Sequence, residues 1–382
     1  MAKRVLIITP VIKPGGGPPG YVYNLKTGID ELSSKGLLKN HFEFLGEISE
    51  QRNKATGEKF KSKNFGIFSI IIYLITLLGL KPVFSRKIKF AKQRISNADL
   101  VIIQGFQDVY LAKYMLKSNV PFAYMPHSPS IMAEEYKMLC ELNGQFFSLD
   151  KYERYKKDES FFLKFSKFVV FPSEGARSEY DIHFIEELSN KKVIYIKSGV
   201  NVSFNIDKNK KAKKDSKKVE ILYVGRYISH KGYDLFCDAA ELISKEDNNI
   251  IFKTVGDGPM KRKSDKIIDL GWRNDVFEVI NQCDIIVVPN RIAYYDLLPI
   301  ECAALGKPLV MTSVGGNIDQ LKEFPDSVFC NKLCSVALQQ AINEAILKFK
   351  TSDNWGLENF KKYELGFTAK SFARRWDCAL EG

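Results

Sequence analysis

The sequence has few of the residues and motifs that support metal or nucleophile chemistry. No DxD pair marks a divalent-cation site, and no GxSxG motif marks an activated serine. The histidines lack the short spacing of metal ligands; they are His41, His127, His183 and His230. We therefore predict a site without a metal or cofactor, in which side-chain cations and helix ends neutralise negative charge.

The cysteines and the N-terminus exclude a disulfide scaffold and a secretory leader. The seven cysteines are odd in number and scattered, and no CxxC pair occurs. This usage is typical of reduced thiols in a cytosolic protein. Residues 1–10 contain only a short apolar run, which predicts a first β-strand and no signal peptide.

The longest apolar run, residues 65–80, is short for a transmembrane helix. As a helix it would reach about 24 Å, against roughly 30 Å for a bilayer core. The basic residues that follow are Lys81, Arg86, Lys87, Lys89, Lys92 and Arg94. Two interpretations stay open: a helix packed on a sheet with a solvated basic face, or peripheral contact of residues 65–94 with an anionic membrane.

The positive charge is concentrated in one segment. Residues 208–218 contain seven lysines and one aspartate, so this run supplies +6 of the formal net charge of +12. The rest is spread over a large surface, and no nucleic-acid motif is present. We expect anionic substrates or an anionic membrane as partners, and no nucleic acid.

Apolar strands alternate with helical segments on both sides of this run, which predicts two parallel α/β sheets. The first domain is predicted over residues 1–200, a basic linker over 201–218, a second domain over 219–358 and a last helical segment over 359–382. In the first domain, strand 5–9 leads into a glycine-rich loop, residues 13–20. Such a loop before a helix suits phosphate, although a tight turn explains the glycines about as well.

The second half contains an apolar strand, 284–289, followed by a loop, a short helix over 300–305 and another strand, 308–312. Loops at the carboxyl ends of parallel strands bind ligands, and a helix N-terminus favours phosphate. Glu301 is predicted in the first turn of this helix, where it either caps the helix or accepts hydrogen bonds from a diol such as ribose.

Other strand-end residues are candidates for the same cleft. Arg226 and Lys231 share one loop and could grip a diphosphate, the alternative being two surface cations. His127 follows strand 121–125 and is placed for the cleft, although a lone histidine is often structural. Loops at Gly256, Ala293 and Gly315 also follow strands.

Four stretches of the second half, residues 222–235, 255–259, 283–289 and 298–310, resemble the family 4 retaining glycosyltransferases of the GT-B fold. The first half is similar more loosely. The resemblance implies two Rossmann-like domains facing a cleft, with the nucleotide sugar bound mainly to the second domain and the acceptor to the first. The last helix would cross back to the first domain.

The resemblance also implies roles for individual residues. Arg226, Lys231, His127 and Asp296 form the candidate catalytic set. The candidate donor-binding residues are Gly16, Gly17, Gly225, Arg226, Lys231, Gly256, Leu297, Leu298 and Glu301. The reaction in this family is drawn as a front-face displacement, in which the leaving phosphate deprotonates the acceptor hydroxyl.

One position departs from the family pattern. The first glutamate of its paired motif, eight positions before Glu301, is Ala293 here. Asp296 is the candidate replacement for this carboxylate. If Asp296 does not replace it, either the protein selects a different donor, or it binds its ligand without catalysing a reaction.

The prediction is a cytoplasmic, retaining, metal-independent hexosyltransferase, peripheral to the inner face of the membrane if residues 65–94 contact lipid. Its donor would be a UDP- or GDP-sugar and its acceptor a glycan or polyprenyl-linked glycan of bacterial O-antigen or capsule synthesis. The alternative is a non-catalytic GT-B-shaped partner subunit. A GT-B epimerase or phosphorylase is disfavoured, because no acid pair or cofactor-lysine motif is visible.

Overall fold

The computed structural model describes residues 2–48, 86–105, 109–202, 218–352 and 354–381. In these ranges the chain forms two parallel six-stranded sheets with helices packed on them. The apolar run 65–80 and most of the lysine-rich segment lie outside the described residues. None of the helices within these ranges is long and apolar enough to cross a bilayer.

The first sheet contains the apolar strands predicted in the first half of the chain. Its strands are β1 (Arg4–Ile12), β2 (His41–Ile48), β3 (Leu100–Gln104), β4 (Phe122–Met125), β5 (Val169–Phe171) and β6 (Val193–Tyr195). Their order is β2-β1-β3-β4-β5-β6, and all pairs are parallel. The order reverses between β1 and β3, so the loops after these strands open onto a crevice.

Helices of the first half pack on this sheet through apolar faces. They are α1 (Gly17–Ser33), α2 (Arg86–Ser96), α3 (Val109–Lys117), α4 (Met132–Asn143), α5 (Leu149–Phe165), α6 (Glu174–His183) and α7 (Ile185–Ser189). The face predicted for α1 is buried, as its spacing of three to four residues requires; it comprises Tyr21, Leu25, Ile29 and Leu32. Ser173 caps α6 as predicted, because its Oγ accepts a hydrogen bond from the Ala176 N–H.

The second sheet has the strand order of a dinucleotide-binding fold. Its strands are β7 (Val219–Val224), β8 (Ile250–Val255), β9 (Ile267–Asp269), β10 (Ile285–Val288), β11 (Leu309–Thr312) and β12 (Ser327–Cys330). The order is β12-β11-β10-β7-β8-β9, again parallel throughout. The direction of strand addition reverses between β7 and β10, and ligands bind at this point of such sheets.

The helices of the second half include one whose start was predicted wrongly. They are α8 (Tyr233–Glu246), α9 (Val276–Gln282), α10 (Leu297–Ala304), α11 (Gly316–Glu323), α12 (Ser335–Thr351) and α13 (Leu357–Gly366). Helix α10 begins at Leu297, three residues before the predicted start. It accommodates Pro299 in its first turn because N–H groups there have no partner within the helix. Glu301 therefore lies in the second turn of α10 and not in the first.

The last helix, α14 (Ala369–Ala379), returns to the first domain as predicted. The Trp376 indole N–H donates to the Tyr21 hydroxyl of α1 at 3.0 Å. The Asp377 carboxylate accepts hydrogen bonds from the backbone and side-chain N–H groups of Asn40 at 3.0 and 2.8 Å. Although α14 follows the second domain in sequence, it is part of the core of the first. The exact domain boundaries stay a prediction.

Candidate functional site

The loops that follow strands of the second sheet meet at one edge, as predicted. A Cβ atom added to Gly256 would lie 1.8 Å from the Gly225 carbonyl oxygen, so the loops after β8 and β7 are in backbone contact. In the same way, a Cβ on Gly315 would lie 2.1 Å from the Ala293 carbonyl oxygen, which joins the loops after β11 and β10. Glycine is required at both positions because any side chain would displace a neighbouring backbone.

Arg226 and Lys231 lie on the loop after β7, at the switch point of the second sheet. Arg226 is exposed, and Lys231 ends a 3-10 turn, Ser229–Lys231, directly before α8. The Arg226 Nη2 lies 3.5 Å from the His230 Nε2. Burial, together with the charges of Lys231 and Arg226, lowers the pKa of His230 to about 4. The imidazole is therefore neutral at neutral pH, and the two flanking side chains are the cations of this loop.

Lys231 and Asp296, which are 65 residues apart in sequence, form an ion pair. The Lys231 Nζ donates to the Asp296 Oδ2 at 2.5 Å, and the Asn290 amide donates to the same oxygen at 2.7 Å. Both members of the ion pair are half-buried. Burial alone would raise the pKa of Asp296, but the charge of Lys231 and these hydrogen bonds outweigh it and lower the pKa. Asp296 is thus an anion at neutral pH.

Helix α10 begins directly after this ion pair. Asp296 occupies the N-cap position, but its side chain makes no capping hydrogen bond. Its Oδ2 is turned toward Lys231 and Asn290 instead. The first turn of α10, which includes Leu297 and half-buried Leu298, therefore receives no cap from Asp296. Glu301 is buried one turn later, 6% exposed.

The glycine-rich loop of the first domain reaches the same place from across the cleft. Gly16 is the N-cap of α1, and Gly17 follows it with a φ of +70°. Both are exposed, and a Cβ on either would meet no atom within 4 Å. A Cβ on the nearby Gly20 would lie 3.4 Å from the Leu297 Cδ1 of α10. The N-termini of α1 and α10 are therefore close to one another.

His127 lies after β4, in a hydrogen-bonded and aromatic environment. Its Nε2–H donates to the Gln104 Oε1 at 2.6 Å, and its ring centroid lies 4.6 Å from that of Tyr21 in α1. Burial lowers the pKa of His127 to about 3. His127 is therefore a neutral, oriented imidazole at neutral pH and carries no positive charge toward a donor.

The sequence of the second half decides the identity of this domain. Residues 218–348 match the sequence profile of the family described as glycosyl transferases group 1. This segment is a glycosyltransferase group 1 domain. The more specific assignment to family 4 is consistent with this match and stays a prediction.

Curated relatives are similar to the chain over different lengths. A Campylobacter jejuni protein named N,N'-diacetylbacillosaminyl-diphospho-undecaprenol alpha-1,3-N-acetylgalactosaminyltransferase is 21% identical over 80% of this chain and 87% of its own. An uncharacterized glycosyltransferase of Methanocaldococcus jannaschii is 31% identical over 25% of this chain, and this match spans only 29% of that protein. The Escherichia coli UDP-Gal:alpha-D-GlcNAc-diphosphoundecaprenol alpha-1,3-galactosyltransferase is 28% identical over 25% of this chain and 28% of its own.

Solved structures share the architecture of the whole chain. Sucrose-phosphate synthase from Thermosynechococcus elongatus superposes with a TM-score of 0.66 at 14% identity, over 99% of this chain and 98% of that one. HepE of Anabaena, solved with UDP, superposes with a TM-score of 0.63 at 13% identity, over 99% of both chains. The chain therefore has the predicted GT-B fold, with two parallel-sheet domains facing a cleft.

The glycosyltransferase domain contacts the first domain through residues that the sequence did not single out as functional. Tyr294, in the loop after β10, packs into the apolar core of the first domain and its hydroxyl donates to the Pro126 carbonyl oxygen. The Tyr294 ring centroid lies 6.4 Å from that of His127. The backbone N–H of Gly175 donates to the Asp319 carboxylate at 2.8 Å. The loop that carries Ala293 and Asp296 is therefore attached to both domains.

Three more residues of the site were missed at the sequence level. Asn290 and Arg291 follow β10, and Gln104 ends β3, so their position at strand ends was an available signal. Their side chains contact Asp296, Asp234 and His127 respectively. Asp296 is six residues from Asn290, whereas the partners of Arg291 and Gln104 are 57 and 23 residues away and are identified only by the fold.

Two of the basic side chains predicted after the apolar run, Lys92 and Arg94, lie in the described part of the chain. Lys92 donates to the Tyr110 hydroxyl at 2.7 Å, and Arg94 pairs with Glu43 at 2.7 Å, so these two cations contact the protein's own surface. The side chains of the other predicted basic residues lie outside the described part. Among the described residues, no group of three or more His, Cys, Asp or Glu side chains is placed to hold a metal ion.

Proposed function

We propose that the protein transfers a sugar, with retention of its anomeric configuration, from a nucleoside diphosphate sugar to a lipid-linked glycan acceptor. The observation that carries this proposal is the location of Arg226 and Lys231. Both lie on the loop after β7 in a glycosyltransferase group 1 domain, and Lys231 pairs with Asp296, the N-cap residue of α10. Two cations and a helix N-terminus are suited to a diphosphate leaving group.

In this reaction the bond between the anomeric carbon and the diphosphate breaks while the acceptor oxygen bonds to the same face of the sugar. The acceptor proton passes to an oxygen of the leaving phosphate. Arg226 and Lys231 would stabilise the charge that develops on the diphosphate, without a metal ion. His127, which burial keeps neutral and the hydrogen bond to Gln104 orients, would contact the sugar. Glu301 would contact the ribose hydroxyls. Gly16, Gly17, Gly225 and Gly256 would let backbone approach the donor.

Asp296 would take the place of the carboxylate that is missing at Ala293. Its Oδ2 is shared by Lys231 and Asn290, and no described residue donates to its Oδ1. The Oδ1 would accept a hydrogen bond from a hydroxyl of the transferred sugar. When a diphosphate binds, Lys231 would turn toward it, and Asn290 would keep Asp296 in place.

The acceptor class is inferred from relatives. The names of the Campylobacter jejuni and Escherichia coli proteins specify sugars linked through diphosphate to undecaprenol. We therefore propose a polyprenyl diphosphate-linked glycan of O-antigen or capsule assembly as acceptor. The corresponding location is the cytoplasmic face of the membrane, with peripheral attachment.

A donor screen tests this proposal. Thermal shift and nucleotide release are measured with UDP-, GDP- and ADP-sugars for the wild type, Arg226→Ala and Arg262→Ala. Arg262 pairs with Asp238 on the same domain and serves as the matched control, because it was not predicted to contact the donor. One donor should stabilise the wild type and the control, and Arg226→Ala should bind it about 10- to 100-fold more weakly. If no donor binds, the proposed transferase activity is wrong.

The second candidate is a partner subunit that binds a nucleotide sugar without transferring it. Ala293 favours it, because the family's first glutamate is absent. Asp296→Asn separates the two candidates. If Asp296 acts on the sugar, this substitution should lower nucleotide release by about 100-fold while binding of free UDP or GDP changes little. Donor binding without any nucleotide release by the wild type would favour the partner subunit.

A further inference from the structure

Arg291, in the loop after β10, forms hydrogen bonds with the turn that carries Lys231. Its Nη1 and Nη2 donate to the two carboxylate oxygens of Asp234 at 2.7 and 2.6 Å. Its Nη1 also donates to the Ser229 carbonyl oxygen at 2.7 Å, and its backbone N–H donates to the His230 carbonyl oxygen at 2.9 Å. One residue thus holds both the 3-10 turn and the first turn of α8.

The turn has few means of holding its own position. It is three residues long, and the side chain of its N-cap residue, Ile228, makes no capping hydrogen bond. It ends at Gly232, and a Cβ there would lie 1.8 Å from the Pro289 carbonyl oxygen. The backbone that carries Lys231 is therefore packed against the loop after β10, and Arg291 donates hydrogen bonds to two carbonyl groups of this backbone.

The neighbouring residue holds the counter-ion of Lys231. The Asn290 side chain donates to the Asp296 Oδ2 at 2.7 Å. The backbone carbonyl oxygen of Asn290 accepts a hydrogen bond from the Thr312 hydroxyl at 2.5 Å. Asn290 and Arg291 are consecutive. The distance between the Lys231 ammonium and the Asp296 carboxylate is thus set by two adjacent residues of one strand-end loop.

We infer that Arg291, through its bidentate bond to Asp234, is a positioning residue that aims Lys231 at the donor diphosphate. This inference rests on the proposed function, because it assumes that Lys231 contacts a diphosphate. Arginine is suited to the role because its planar guanidinium reaches two carboxylate oxygens and a carbonyl at once. A lysine has one ammonium and cannot reproduce this geometry.

The test is a double-mutant cycle on nucleotide affinity. The dissociation constants of UDP and GDP are measured by calorimetry for the wild type, Arg291→Ala, Lys231→Ala and the double variant. When Lys231 is present, Arg291→Ala should weaken binding of the preferred nucleotide about tenfold. In the Lys231→Ala background the same change should weaken binding less than twofold, because the group that Arg291 positions is gone. Additive effects in the cycle would overturn the inference.

Three further variants separate positioning from loss of fold. Arg291→Lys should recover only part of the affinity, and Asp234→Asn should reproduce the effect of Arg291→Ala. Arg262→Ala breaks a comparable pair with Asp238, one turn further along α8, and should bind nucleotide like the wild type. For a donor that is turned over, Arg291→Ala should raise KM about tenfold and change kcat less. Wild-type affinity in Arg291→Ala, or full recovery by Arg291→Lys, would contradict the bidentate role.

The outcomes distinguish this inference from the proposed function. If the wild type binds UDP or GDP but releases no nucleotide from any donor sugar, the transferase proposal fails and the cycle still measures the coupling of Arg291 to Lys231. If the wild type transfers sugar but the cycle is additive, the positioning inference alone fails. If no nucleoside diphosphate binds, Lys231 has no diphosphate to contact, and both are wrong.

Discussion

Two carboxylates of this protein have pKa shifts of opposite sign, and their nearest partners explain why. Asp296 lies against the Lys231 ammonium, which lowers the pKa of the carboxyl despite burial. Glu159 of α5 is buried, and within the part of the chain that the structure describes no lysine or arginine pairs with it. Burial raises its pKa to about 7, although hydrogen bonds from the Met132 N–H at 2.7 Å and the Tyr124 hydroxyl at 3.2 Å oppose the rise. A buried carboxylate beside a cation stays charged. A buried carboxylate that has only neutral hydrogen-bond donors binds a proton near neutral pH.

Glu159 predicts a pH-dependent stability. Its folded-state pKa is above the unfolded value of about 4.5, so the folded protein binds the proton more tightly and its free energy of unfolding falls as pH rises from about 4.5 to about 7. Glu159→Gln removes this term. The free energy of unfolding of the variant minus that of the wild type should therefore rise by on the order of 3 kcal/mol between pH 4.5 and pH 8. Denaturant unfolding at a series of pH values measures the gain.

The control for this prediction is Glu153→Gln, which removes an exposed carboxylate from the same helix. Its stability difference from the wild type should be nearly constant over the same pH range. A constant difference for Glu159→Gln as well would show that Glu159 does not carry a shifted proton in the folded state.

At the scale of elements, the junction between the loop after β10 and α8 depends on one glycine. Gly232 has a φ of +66°, and the carbonyl of Pro289 fills the space that a Cβ would occupy. Gly36, after α1, has nearly the same φ of +64°, but a Cβ there would meet nothing within 4 Å. The two glycines therefore separate the cost of left-handed backbone from the cost of a steric clash.

Substitution of these glycines gives an element-scale prediction. Gly36→Ala should cost about 1–2 kcal/mol of stability, because alanine is strained in the left-handed region. Gly232→Ala should cost roughly 2–5 kcal/mol, since the same strain is joined by overpacking against Pro289. It should also weaken nucleotide binding, because Lys231 directly precedes it. Equal costs at the two positions, measured by denaturant unfolding, would contradict the tight junction.

At the scale of the whole molecule, the two domains are joined by several small contacts around the cleft. The Tyr294 ring enters the core of the first domain, Asp319 accepts from the N-terminus of α6, and Lys197 pairs with Glu323 of α11. The loop of Ala293 lies against the Gly315 backbone, and Gly175 lies against the other side of Gly315. The position of one domain on the other is thus coupled to the loop that carries Asp296.

Tyr294 predicts how this coupling can be released. Tyr294→Ala removes a buried ring and its hydrogen bond to Pro126, so the segment that carries His127 loses its contact with the second domain. Hydrogen exchange of the amides in residues 127–131 and 174–178 should become at least several-fold faster. Tyr294→Phe, which keeps the ring, should show a smaller increase.

The matched control is Tyr152→Ala, which removes a tyrosine from the α4–α5 hairpin, where its hydroxyl donates to Glu134. It should leave exchange in residues 174–178 unchanged. Unchanged exchange of both segments in Tyr294→Ala would show that Tyr294 does not hold the domains together.

The alternation of strands and helices and the positions of the strand-end loops can be predicted from the amino-acid sequence alone. These features depend on local periodicity and on glycine, and β7 to β11 occur where the apolar runs predict them. Arg226 and Lys231 could be nominated because they follow a strand whose carboxyl end had to face a cleft. Asp296 was a candidate for another reason: it lies three residues after Ala293, where the resembled family has a glutamate. For α10 the sequence pattern predicts a late start, because a proline often marks a helix boundary. The first turn of a helix accepts proline, and α10 begins before Pro299.

The partners of these residues, in contrast, are known only from the folded structure. The ion pair of Lys231 and Asp296, the bond of Arg291 to Asp234 and the insertion of Tyr294 beside His127 join positions that are far apart in the chain. The strand order and the packing of the two domains create these contacts, and no local pattern encodes them. Burial, and with it the opposite pKa shifts of Asp296 and Glu159, arises in the same way, because it depends on every element that packs around a side chain.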